Sequence, residues 1–189
     1  MRFKKTVLVL TCIGILQGCA AAAVVAIVGG ASVATDNRTL GKQIDDQRIE
    51  LVAHNELTKL TELHEYTNIQ VVSVNGSVLA VGQSPNTRLR DLAMQTLSNI
   101  NGVLKVHNQI RIGNTVSATT KSNDLWLTSK VKAALLANEN ISAADVKVVT
   151  ENGEVFLMGL LPENHANIAV NVARNISGVS RVYKMFEYL

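Results

Sequence analysis

Apolar residues recur every four positions at Ile49, Ala53 and Leu57, and again at Leu127, Val131 and Leu135. That spacing is the buried stripe of an amphipathic helix. Asp46 and Asp124 precede the two stripes, where a carboxylate can cap a first helical turn. Each stripe is followed by an alternating run, Ile69 and Val71 in one case, Val146 and Val148 in the other. The alternation predicts a strand. The Asn75-Gly76 and Asn152-Gly153 pairs that follow predict type I′ hairpin turns, because both turn residues need positive φ. Gly82 and Gly159 close the second strands, Pro85 and Pro162 open second helices, and Gly102 and Gly178 stop them. Final strands fall at 106–112 and 182–188. The expected fold is α+β, with the order α-β-β-α-β in each copy. Two helices cover one face of a three-stranded sheet.

The copies are offset by 78 residues at the first helix, 77 at the hairpin and 76 at the last glycine. Two single-residue slips are what loop or helix-end indels produce. Two copies favour two small domains over a solenoid. We place the first at 45–112 and the second at 122–189, joined by a polar linker, 113–121.

Upstream the pattern changes. Val7–Leu16 is an apolar run behind Arg2, Lys4 and Lys5. As a helix it spans about 15 Å, half of a bilayer core of about 30 Å. A basic start followed by a short apolar run reads as a secretory signal peptide, residues 1–18. Leu16-Gln17-Gly18-Cys19 resembles the lipobox of bacterial lipoproteins. The resemblance implies diacylglycerol on the Cys19 sulfur, cleavage after Gly18 and acylation of the new amino terminus. Residues 19–44 become a lipidated flexible tether. Cys12 is removed with the signal, so Cys19 is left as a single thiol and no disulfide forms. Position 20 is Ala rather than Asp, which by resemblance to enteric sorting rules favours the outer membrane. The alternative is a transmembrane anchor over the charge-free stretch 6–35, although glycines and the run Ala20–Ala23 dilute it.

The helix stripe, the segment around NGEVFLMG and the Ser177-Gly178-Val179 stop with Val182 together resemble the BON domain, over residues 45–189. A lipobox followed by two such units resembles the tandem BON-domain outer-membrane lipoproteins. That resemblance implies periplasmic-face anchoring, phospholipid binding and a role in envelope integrity and at division sites. It implies no catalytic activity.

Charge and chemistry narrow the reading further. The chain has 18 basic and 15 acidic residues, and three of the basic ones lie in the signal peptide. The remainder is balanced, so no positive field marks a nucleic-acid partner. Aromatics are 4% of the chain, so the cores must rest on aliphatic residues. His54, His64, His107 and His165 have no metal-ligand spacing and read as solvated surface groups. Glu151 and Glu154 flank the second hairpin turn and read as solvating carboxylates. No nucleophile motif, phosphate loop or dinucleotide fingerprint occurs. We expect no catalytic residue, metal, cofactor or small-molecule substrate.

The two copies differ most on the first helix. At 100° per residue, Leu125, Trp126, Ser129, Ala133 and Leu136 lie opposite the buried stripe, with Lys130 and Lys132 at the borders. A surface helix should be polar there. The matching residues of the first copy, Gln47, Arg48, Asn55 and Thr58, are polar; only Leu51 is not. Tryptophan and leucine rimmed by lysine fit an interfacial contact with an anionic phospholipid membrane. The same arc also suits an interdomain or protein contact, including one with outer-membrane assembly proteins. The sheets offer a rival interdomain surface. Tyr183, Met185 and Leu189 share a face of the last strand, and Val72, Val74 and Leu157 lie on or near such faces.

Overall fold

Helix α1 runs Leu40–Lys59 and starts six residues ahead of Asp46; α4 runs Ala118–Leu136 and starts six ahead of Asp124. The computed structural model describes Asp36 and residues 38–189. The signal peptide, Cys19 and most of the expected tether lie outside the described residues. Neither aspartate caps its helix. The caps are Thr39, whose Oγ1 accepts from Lys42 N at 3.3 Å, and Ser117, whose Oγ accepts from Thr120 N at 3.1 Å. The helices therefore begin inside the segments expected to be tether and linker.

The aspartates face inward instead, and each clamps a hairpin turn. Asp46 accepts from Asn75 N at 2.7 Å, Gly76 N at 2.9 Å and the Ser73 hydroxyl at 2.7 Å. Asp124 accepts from Asn152 N at 2.7 Å and Gly153 N at 2.8 Å. Both turns have the expected left-handed residues, Asn75 at φ 53° and Asn152 at φ 51°. Successive N–H groups in such a turn form an anion-binding nest, and the helix supplies the anion.

The remaining elements follow the expected order. The first copy has a short extra helix, α2 (Thr61–Tyr66), then β1 (Asn68–Val74), β2 (Ser77–Ser84), α3 (Thr87–Ser98) and β3 (Lys105–Ile112). The second has a 3-10 turn at Ala143–Asp145, then β4 (Lys147–Glu151), β5 (Glu154–Leu161), α5 (Glu163–Arg174) and β6 (Arg181–Tyr188). In each sheet the middle strand pairs antiparallel with its hairpin mate and parallel with the last strand. The first slip in the repeat lies where α2 is replaced by the 3-10 turn. The second lies before the second helix, where Asn86 caps α3 after Pro85 but Pro162 itself caps α5.

The helix-facing sides form two aliphatic cores. One gathers Ala53, Leu57, Leu63, Leu89, Ala93, Leu97 and Ile110; the other gathers Val131, Leu135, Leu157, Leu161, Ala166, Ala169 and Ala173. The alanines let the helices sit close to the sheets. Gly159 is needed for approach rather than for its φ: a Cβ there would lie 2.1 Å from Asp145 O.

The other sides of the two sheets pack on each other. Val72, Val74, Leu79 and Val81 meet Val149, Phe156 and Met158, with Tyr183 and Met185 at the margin. Tyr183 stacks on Phe156, its cross-strand partner, at 4.9 Å. The sheet faces thus carry the interdomain contact, with two corrections. Leu157 points into its own core, because side chains alternate along the strand and its neighbours Phe156 and Met158 take the outer side. Leu189 is 69% exposed and outside the contact. Polar pairs rim it: Gln83 donates to Glu151, Arg111 pairs with Glu154, and Lys147 pairs with Glu50 at 2.6 Å. Glu151 and Glu154 therefore tie the domains together rather than merely solvate a turn. Residues Asp36–Leu189 form one unit, a sandwich with two sheets inside and the helices of each domain on opposite outer layers.

Candidate membrane-contact site

Helix α4 is held by Leu127, Val131 and Leu135, all essentially inaccessible, and by the Asp124 clamp. That anchoring fixes what its other side presents. Leu125 is 71% exposed, Trp126 59% and Leu136 74%. Ser129, Lys132 and Ala133 are exposed between and beside them, and Lys130 is half-buried. The structure therefore brings all seven residues of the candidate site to one outer arc. No sheet or helix of the described residues covers it.

The two border lysines are not equivalent. Lys130 Nζ donates to Ser177 O at 2.8 Å and lies 4.2 Å from the centre of the Trp126 ring. Its charge is partly used, and it lays the indole along the helix. Lys132 has no ion-pair or hydrogen-bond partner among the described residues. Ser129 Oγ donates back to Leu125 O at 3.0 Å, so it adds little polarity to the arc.

Burying Leu125, Trp126 and Leu136 at about 1.5–2 kcal/mol each gives roughly 5 kcal/mol before costs. That alone corresponds to a weak, reversible contact. A lysine near an anionic surface adds about 1 kcal/mol.

The first copy is less polar than its sequence alignment suggested. Because α1 starts at Leu40, it adds Leu40 and Ile44 to the stripe of Leu51; these are 78%, 67% and 61% exposed. The two domains thus expose apolar residues on different parts of the same helix and on opposite layers. Periodicity would have revealed this stripe had the helix start been read at Thr39.

The histidines divide. His54 and His64 are exposed. His107 is half-buried with its Nε2 3.0 Å from Ser77 Oγ. Burial, and then Lys105, hold it below the usual imidazole range against the opposing pull of Glu187. Among the described residues no group of three potential ligands could hold a metal, and no helix is long and apolar enough to cross a membrane.

A BON-domain family model matches residues 45–114 and 123–189. The chain belongs to the BON-domain family. It is 40% identical to outer membrane lipoprotein DolP of Haemophilus influenzae, over 98% of this chain and 96% of the relative. It is 42% identical to the 21 kDa hemolysin of Actinobacillus pleuropneumoniae, over 82% and 79% of the two chains. It is 26% identical to osmotically-inducible protein Y of Escherichia coli, over 81% and 77%.

Proposed function

We propose that this BON-family chain is a lipoprotein of the outer membrane's periplasmic face, held by lipid on Cys19. Its second domain binds anionic phospholipid through Leu125, Trp126, Ser129, Lys130, Lys132, Ala133 and Leu136, and in doing so supports envelope integrity and function at division sites. The anchor is supported by Leu16-Gln17-Gly18-Cys19 and by near full-length similarity to a relative named an outer membrane lipoprotein. The lipid site rests on one observation: Trp126 and two leucines stand exposed on a helix whose opposite side is fully engaged in a core. Tethering raises the local concentration, so a weak second contact suffices to orient the molecule. The reading assigns no catalytic step to the chain.

The test is Trp126→Glu in the soluble unit 36–189. The variant should keep its thermal transition and lose binding to anionic vesicles, while Arg48→Glu at the matching place in the first domain binds as before. In cells, the full-length variant should stay in the outer-membrane fraction through Cys19 and lose any enrichment at division sites. Loss of folding with lipid binding retained would make Trp126 a packing residue.

A second reading has its own support. With α4 on the bilayer, the stripe Leu40, Ile44 and Leu51 on the opposite layer points away from it. That is the surface a periplasmic protein scaffold would offer to outer-membrane assembly machinery. A photo-crosslinker at Ile44 that captures no envelope protein would count against it.

A further inference from the structure

The two sheets have four edge strands among the described residues, β1, β3, β4 and β6. An edge strand offers unpaired backbone groups to any other chain, and charged side chains discourage the pairing. Three of the four carry them: Lys105 and Arg111 on β3, Lys147 and Glu151 on β4, and Arg181, Lys184 and Glu187 on β6. β1 has no charge, proline or glycine from Asn68 to Val74.

The hairpin fixes which groups β1 turns outward. Its two-residue turn makes Val74 and Ser77 a bonded pair, so Val74, Val72, Gln70 and Asn68 direct their N–H and C=O groups to β2. Ser73, Val71 and Ile69 direct theirs to the open edge. Glu50 Oε1 accepts from Ser73 N at 2.8 Å, as that parity requires, and also from Lys147 Nζ, which closes one end of the edge. The backbone groups of Ile69 and Val71 have no partner among the described residues. Beside them a groove of about 410 Å³ separates β1 from the helices of its own domain. Glu50, His54 and Leu57, at spacings of four and three, form its α1 wall, and Leu63 of α2 extends it. Donors and acceptors at a two-residue repeat, held beside a helix wall, are complementary to another extended backbone.

We propose that the β1 edge takes an extended segment of another polypeptide as a fourth strand, antiparallel to β1. Residues of the segment opposite Ile69 and Val71 exchange backbone hydrogen bonds with them and point, as they do, toward the helices. Apolar side chains fit there, against Leu57 and Leu63. The residue opposite Gln70 faces outward and is polar. The residue opposite Ser73 faces Glu50, whose Oε2 has no partner among the described residues, so a basic side chain complements it. The partner is thus a strand of alternating apolar and polar residues with a basic residue at its N-terminal end. The proposal is independent of the membrane reading, because no residue of α4 lines this groove.

A capped hexapeptide, lysine-threonine-valine-threonine-valine-threonine from its N-terminus, tests this when titrated into the unit 36–189 without lipid. Calorimetry gives the affinity and amide NMR gives the place. The peptide should bind and shift the amides of Ile69, Gln70 and Val71. N-methylation of both valines, whose N–H groups face β1, should weaken binding at least about tenfold, the worth of two hydrogen bonds. N-methylation of the second and fourth residues, whose N–H groups face away, should leave it unchanged. Norleucine in place of the lysine should weaken binding about threefold at low salt and less at high salt, and Glu50→Gln should erase that difference. Equal effects of the two methylations, shifts confined to β3 or β6, or no binding at millimolar peptide would overturn strand addition at β1. Equal affinity of the lysine and norleucine peptides for the wild type would overturn the placement of the basic residue beside Glu50.

Discussion

Asp46 and its counterpart Asp124 do the same work twice. Each carboxylate leaves a helix to satisfy two turn N–H groups that would otherwise be left unpaired inside the fold. Burial opposes the charge on Asp46, but the Gly76 N–H, the Ser73 hydroxyl, the Asn75 N–H and Arg38 outweigh it and hold its pKa below the usual 3.8. Asp46→Asn puts an amide donor against a backbone donor and should cost at least about 2 kcal/mol, read from urea unfolding at neutral pH. The depressed pKa sets the sign of the acid response. This contribution is complete above the unfolded value near 3.8 and is lost as pH falls from there through the lower folded value. Urea midpoints of the wild type should therefore fall more steeply below pH 4 than those of Asp46→Asn; equal slopes would contradict the clamp. The sequence does repeat an aspartate and an Asn-Gly pair at nearly constant separation, 29 residues in one copy and 28 in the other. Local rules read that aspartate as a cap, because a cap is the only role a local window can display. Thr39 and Ser117 were equally able caps.

At the scale of elements, strands and hairpins were legible because Asn-Gly and the closing glycines impose backbone geometry directly. Helix starts were not, and that error hid Leu40 and Ile44. Strand parity was legible for Val72 and Val74 but was misread at Leu157, where four apolar residues in succession, Val155–Met158, erase the alternation. The α4 arc was legible in full, since seven residues at helical spacing need only the helix to exist. What the spacing could not reveal is that Lys130 is engaged with Ser177 and Trp126 whereas Lys132 is not. Lys132→Ala should weaken vesicle binding about fivefold at low salt, and less at high salt. Lys130→Ala should change binding less but alter Trp126 emission without lipid, because the ring loses its cation. The reverse ranking would show that the Lys130–Trp126 pair opens on the membrane.

On the scale of the whole molecule, the sandwich was foreseeable because the open sheet faces are apolar: Val72 and Val74 in one domain and Tyr183 and Met185 in the other gain by covering each other. Phe156 lies at the centre of that contact. Phe156→Ala should cost about 3–5 kcal/mol and raise amide exchange in β1 and β2 as well as β5, because both domains lose the same partner. An effect confined to the second domain would mean that the domains fold independently. Trp126 is the chain's single tryptophan, so its emission reports the site directly. The unit 36–189 mixed with anionic vesicles whose acyl chains carry bromine should show Trp126 emission shifted to the blue and quenched by the bromine. Vesicle binding with Trp126 neither shifted nor quenched would contradict the account.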